Sequence, residues 1–203
     1  NKILKKAEVD IPSNCPSCDS QLIWDADFLM CPNINSCPDQ VVGKMIYFFK
    51  TLANNDGFGQ ATIKKLYDNG IRQVSDVYLL DIDQLISMGF GEKTSKNLID
   101  QLNRSRQESI EDWRFLAAFG VQRLGMGNCE NLFKNYPIEE IFDLTADEIA
   151  NIDGFAELTA EQIFKGLESI RDEYQILINN GFELEKTRLN NEVALIESYF
   201  HNT

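Results

Sequence analysis

The chain has 203 residues, 43% of them apolar, enough for one full domain and a small module. A formal net charge of −13 excludes a uniformly basic surface that would draw nucleic acid by its field alone. No run approaches the roughly 20 apolar residues of a membrane span, and no signal peptide opens the chain; a cytoplasmic protein is expected. The acid is unevenly spread. Residues 1–130 hold 14 Lys and Arg against 17 Asp and Glu, whereas residues 131–203 hold 5 against 15. Contacts to a polyanion are therefore expected in the first 130 residues, through local cations and backbone amides.

Residues 1–12 read as the end of an element begun earlier, a short strand followed by a linker at Pro12, with no initiator Met. Next come Cys15 and Cys18, then Cys31 and Cys37. A pair of cysteines two apart forms a knuckle whose sulfurs converge on one ion, and the second pair completes a tetrahedron. Between the pairs, Gln21–Trp24 and Phe28–Met30 read as a small hairpin. A module of residues 13–40 is too small to bury a core and is expected to need its metal to fold. Structural zinc is the expected ion, with an iron–sulfur cluster or four buried thiols as alternatives. Four of five cysteines as ligands fits a reducing compartment.

Residues 41–185 read as an all-α domain. Residues 41–53 are predicted as a helix with Val42, Met45, Ile46 and Phe49 inward. A turn at Gly57-Phe58-Gly59 follows, then a helix with Ile63, Leu66 and Tyr67 on its inner face. A short helix over 82–87 leads to Gly89-Phe90-Gly91 and a helix over 92–106. Ser109, with Asp112 three residues on, predicts a helix start before Trp113, Leu116, Ala117 and Phe119. Gly125-Met126-Gly127 reads as a third turn. Thr145 and Glu148 form a capping box ahead of Gly154-Phe155-Ala156, the fourth. Ile163, Phe164 and Leu167 line its exit helix, and a separate helix is predicted over 172–180, stopped by Gly181. Residues 190–200 could form one more helix, and 186–203 read as a C-terminal linker. The expected fold is mainly α: four helix–hairpin–helix motifs after a four-cysteine zinc finger.

Each turn is glycine, apolar residue, glycine or alanine, leading into a helix. The first glycine can take backbone angles closed to other residues. A bare second position lets a ligand approach the backbone, and the helix start points free N–H groups and the positive dipole end at it. That arrangement suits a phosphate. One Gly-x-Gly turn is as often mere packing; four in series suggest a polyphosphate chain such as nucleic acid. The expected contact residues are Gly57, Gly59, Lys64, Gly89, Gly91, Lys93, Lys96, Arg123, Gly125 and Gly127. Lys44, Lys50, Arg104, Arg106 and Arg114 could widen the footprint. Ala156, Glu157 and Glu161 make the fourth turn mainly structural. Cys129 reads as core and His201, the only histidine, as a solvated terminal residue. No Ser/His/Asp set, phosphate-cradling Gly-Lys-Ser/Thr loop or Lys-x-Asp-Gly is present, so no catalytic residue is expected.

With those residues in view, the chain resembles the zinc finger and helix–hairpin–helix domain of bacterial-type NAD-dependent DNA ligases. The likeness is carried by Cys15, Cys18, Cys31 and Cys37, by Pro38-Asp39-Gln40 directly after them, and by Asp56-Gly57-Phe58-Gly59, Gly89-Phe90-Gly91-Glu92-Lys93 and Leu116-Ala117-Ala118-Phe119-Gly120-Val121, in that order. It covers about residues 13–185. The resemblance implies a monomeric, nucleoid-associated clamp on nicked double-stranded DNA. NAD, magnesium and the adenylated lysine would belong to upstream adenylation and oligonucleotide-binding domains, of which residues 1–12 would be the end. Three features depart from the family pattern: residues 49–55 lack its Ser-Arg, Ala156 replaces a glycine, and no BRCT domain is recognisable after Gly181. Two other classes share the hairpin: non-enzymatic accessory modules of nucleases or helicases, and DNA glycosylases. The latter usually carry one hairpin, with cysteines after it.

Overall fold

The computed structural model describes residues 11–191. The expectations for residues 1–10, for most of the helix over 190–200 and for His201 lie outside them.

The finger is a two-stranded antiparallel hairpin, β1 (Ile23–Asp25) with β2 (Phe28–Met30), in the register Ile23 opposite Met30. Its core is little more than three buried cysteines with Cys18 and Leu22 against them. Helix α1 (Pro38–Leu52) begins three residues earlier than predicted, because Cys37 is its cap and Pro38 opens its first turn. Proline lacks the N–H that the first turn cannot use and presets the helical φ. The last cysteine of the finger is thus also the first residue of the helical body.

That body has a single core. Helix α1 leads through the first turn to α2 (Gln60–Asp68). Helix α3 (Val74–Tyr78) follows, then α4 (Ile82–Ser87), the second turn and α5 (Glu92–Gln107). Helices α6 (Asp112–Ala118) and α7 (Met126–Asn135) flank the third turn; α8 (Ala146–Ala150) and α9 (Glu157–Asn179) flank the fourth. Val41, Met45, Phe48, Phe49 and Leu52 are the buried face of α1, with Val42 and Ile46 at its edge. Phe49 stacks on Phe58 of the first turn at 4.2 Å, while Phe48 meets Phe115 of α6 edge-on at 6.1 Å. Adjacent residues of α1 therefore serve the first and second halves of the array.

Three expectations are corrected. Helix α3 was unforeseen; its five residues carry Val74, Val77 and Tyr78 into the core. Ser109 does not start a helix. Residues Ile110–Glu111 form a short strand, β3, parallel to β4 (Leu184–Glu185), and α6 begins at Asp112. The buried Asp112 carboxylate accepts from Thr187 N at 2.7 Å, Thr187 Oγ1 at 2.6 Å and Trp113 N at 2.7 Å. A partner 75 positions away, invisible to local capping rules, decides that site. Finally, α9 runs unbroken, with no separate helix over 172–180. Gly166 inside it is a packing residue: an added Cβ would stand 2.2 Å from Val121 Cγ1. The stop at Gly181, with φ +98, is as predicted.

Candidate nucleic-acid interface and metal centre

The four turns share one backbone course. The residue at the bend has positive φ: Gly57 at +93, Gly89 at +85, Arg123 at +65 and Gly154 at +93. An apolar residue follows, Phe58, Phe90, Leu124 or Phe155; Phe90 is half-buried and the others are buried. Next comes the helix cap, Gly59, Gly91, Gly125 or Ala156, whose carbonyl accepts from the N–H four residues on. The third motif is therefore Arg123-Leu124-Gly125, two residues before the predicted Gly125-Met126-Gly127. Gly127 lies inside the first turn of α7 and is not the cap. The glycine pattern misled because an arginine occupies the left-handed position, held there by Asn128 Nδ2 donating to Arg123 O at 2.6 Å.

The two glycines of a motif have different physical standing. At three of the bends φ lies between +85 and +93, which favours glycine, and at Gly57 a Cβ would also stand 3.0 Å from Leu98 Cδ2. At the cap, φ is ordinary, −82 at Gly59, −70 at Gly91 and −75 at Gly125, and nothing lies within 4 Å of an added Cβ. Neither conformation nor packing inside the chain requires glycine there. Ala156 at the fourth cap, φ −76, shows that a side chain fits the same backbone.

Capping sharpens the contrast. Of the four entry helices, α4 and α8 are closed by their own side chains, while α1 and α6 have no side-chain cap. Asp81 accepts from Gln84 N at 2.8 Å, and Thr145 and Glu148 form the predicted box. The exit helices α2, α5, α7 and α9 have no side-chain cap. Their first N–H groups are left without a capping side chain, beside a glycine in α2, α5 and α7 and an alanine in α9, a geometry that can accept an anion.

The predicted contact residues Gly57, Gly59, Gly89, Gly91, Gly125 and Gly127 are all exposed, as are Lys64, Lys93, Lys96 and Arg123. Lys93 is the second residue of α5. Lys64 and Lys96 hold equivalent positions, five past their caps. Lys64 is tied to Asp68 at 3.2 Å, while Lys93 and Lys96 have no ion pair among the described residues. Arg104 and Arg114, of the wider footprint, are paired with Glu108 and Glu111. Lys65 was missed: its ammonium donates to Gly89 O at 2.5 Å and lies 4.5 Å over the Phe90 ring, joining the first exit helix to the second turn. Cys129 is core as expected, with burial pushing its thiol up.

The cysteines converge as their spacing predicts. The sulfurs of Cys15, Cys18, Cys31 and Cys37 all lie within 4.8 Å of one another, with Cys15–Cys37 at 3.9 Å and Cys18–Cys31 at 3.5 Å. No other group of three or more His, Cys, Asp or Glu among the described residues has metal-site geometry. Hydrogen bonding to Ser20 pulls the Cys18 thiol down to about 6, and desolvation pushes Cys31 up to about 12. Gln40 Nε2 donates to Cys31 O at 3.1 Å, anchoring the second pair to α1. The cluster can hold one metal ion.

A family model described as a SAM-like helix-hairpin-helix tandem matches residues 49–104, from the end of α1 to α5. The chain is 60% identical over 194 residues, 96% of its length, to a DNA ligase of Ruthia magnifica. It is 58% identical over 185 residues to a DNA ligase of Vesicomyosocius okutanii and 47% identical over 197 residues to one of Shewanella baltica. Over most of its length the chain is thus similar to a segment of proteins named DNA ligase. It spans 32%, 29% and 30% of those three relatives, under a third of each. Among the described residues, no helix is long and apolar enough to cross a membrane.

Proposed function

We propose that this chain is the DNA-holding part of an NAD-dependent ligase that seals nicks in duplex DNA. The bare caps carry the reading. Gly59, Gly91 and Gly125 omit a side chain that the backbone would accept, at the starts of helices left without a side-chain cap. Close approach of a phosphate to the helix end supplies a reason for that omission. Such contacts grip the backbone without reading bases. Lys93, Lys96 and Arg123 add charge beside them, with Lys64 screened by Asp68.

The four cysteines would hold zinc. A tetrahedral ion with Zn–S near 2.3 Å separates its sulfurs by roughly 3.8 Å, close to the spacings here, and the all-thiolate set leaves no open catalytic position. The ion would fasten the finger to α1 through Cys37. Reaction chemistry, with NAD, magnesium and an adenylated lysine, would reside in the adenylation and oligonucleotide-binding domains, which would be this segment's partners. The protein would act as a cytoplasmic, nucleoid-associated monomer.

Fluorescence anisotropy on nicked, intact and single-stranded DNA at two salt concentrations tests the clamp. Sequence-independent duplex binding that weakens with salt is expected. Gly59→Val with Gly91→Val should weaken it about tenfold or more while helicity is kept; unchanged affinity with unchanged circular dichroism would sink the reading. For the finger, metal analysis should return one zinc per colourless chain. Visible absorption from iron–sulfur would overturn the assignment. Cys31→Ser should lose the metal and leave the helical body folded.

A further inference from the structure

The turns are held crosswise. Asp56 N, beside the first bend, donates to Gln101 Oε1 at 2.9 Å, and Gln101 lies on α5, the exit helix of the second motif. In return, Lys65 on α2, the exit helix of the first motif, donates to Gly89 O at the second bend. The second half repeats the scheme. Asn131 on α7 donates to Asp153 O at 2.8 Å, beside the fourth bend. Gln162 on α9 accepts from Arg123 Nε at 3.2 Å, at the third. Lys65, Asn131 and Gln162 each stand six residues past their own cap, and Gln101 stands one helical turn further along the same face. A lysine, an asparagine and two glutamines thus share one helix face and one task.

We propose that the array is two cross-braced pairs, in which Gln101 and Lys65, and likewise Asn131 and Gln162, are positioning residues that set the partner motif's turn. The proposal rests on the phosphate-holding reading above and adds which residues aim each grip. Loss of a brace frees the residue it holds, at the bend or just before it, and with it the adjoining cap. The damage therefore falls on the partner motif and not on the motif that carries the brace. A residue serving only the stability of its own helix would show no such crossing.

Double-variant cycles of duplex affinity separate these cases. Gln101→Leu alone should weaken binding about fivefold, with the melting transition still cooperative. Added to Gly59→Val, whose grip it aims, it should cost little more; added to Gly91→Val, at the start of its own helix, the two losses should multiply. Lys65→Met gives the mirror image, coupling to Gly91→Val and multiplying with Gly59→Val, and serves should Gln101→Leu fail to fold. Multiplication in all four combinations, or coupling within the same motif, would overturn the cross-brace and leave the clamp standing. If Gly59→Val and Gly91→Val themselves leave affinity unchanged, the clamp reading falls and the cross-brace with it.

Discussion

The first pair of motifs and the second share a backbone course and differ in almost everything exposed on it. Both place positive φ at the bend, an apolar residue after it and a cap without a hydrogen-bonding side chain. The first pair spells this Gly-Phe-Gly twice, with Lys64, Lys65, Lys93 and Lys96 nearby. The second spells it Arg-Leu-Gly and Gly-Phe-Ala, with Glu130 and Glu161 where the first pair has Lys64 and Lys96, and with Leu158 76% exposed at the tip of α9. What packs inward is constrained, because Phe58, Leu124 and Phe155 each fill the core beneath their turn. What faces solvent is free to diverge.

Substitutions at the bend and at the cap should separate the two roles within either pair. Gly57→Val and Gly154→Val force a β-branched residue to positive φ and should each cost about 3 kcal/mol in denaturant unfolding. Gly59→Val and Ala156→Val, at ordinary φ in open space, should each cost under about 1 kcal/mol. Equal costs at bend and cap would erase the distinction. In DNA binding the order reverses where the cap is glycine: Gly59→Val weakens affinity, while Ala156→Val changes it less than about twofold.

Charge is the second difference, and it can be reversed. Glu157→Lys with Glu161→Lys should raise duplex affinity and steepen its salt dependence by about one to two ions released. An unchanged slope would mean that the fourth turn never nears the phosphates. The left-handed arginine offers a smaller effect: Arg123→Gly should stabilise the fold by about 0.5–1 kcal/mol through relief at φ +65, while weakening DNA binding.

The smallest effect concerns the joint between the pairs. Glu173 of α9 accepts from Val74 N at 2.7 Å and Ser75 N at 3.3 Å, capping α3 from the opposite half. Burial raises its carboxyl above the ordinary value, opposed by those two N–H groups. A carboxyl raised by folding is destabilising when ionised, so its contribution to stability grows as pH falls through the folded value and levels off below about 4.5. Glu173→Gln keeps the acceptor oxygen and removes the charge. Its stability should match or exceed the parent at pH 7, with the gap closing toward pH 4 in parallel thermal melts; a gap that widens on acidification would reverse the sign.

Much of this was legible from residues alone. Four cysteines at knuckle spacing, the apolar faces of α2 and α5, the box at Thr145 and the stop at Gly181 are local, and local chemistry is written in neighbouring letters. Glycine spacing found three of the four turns in register. It failed at the third, because a search for glycine cannot see an arginine held left-handed by an asparagine five residues on. Helix α3 drew its cap from Glu173, about a hundred residues away, and so looked like loop. Tertiary contact alone decided which carboxylate is buried at Asp112, why Gly166 must be bare, and which helix steadies which turn. Each of those depends on a partner far along the chain, and periodicity carries no record of partners. The sequence by itself determined where the four cysteine sulfurs and three of the four turns would stand, because both are written in local spacing; packing decided how they are aimed.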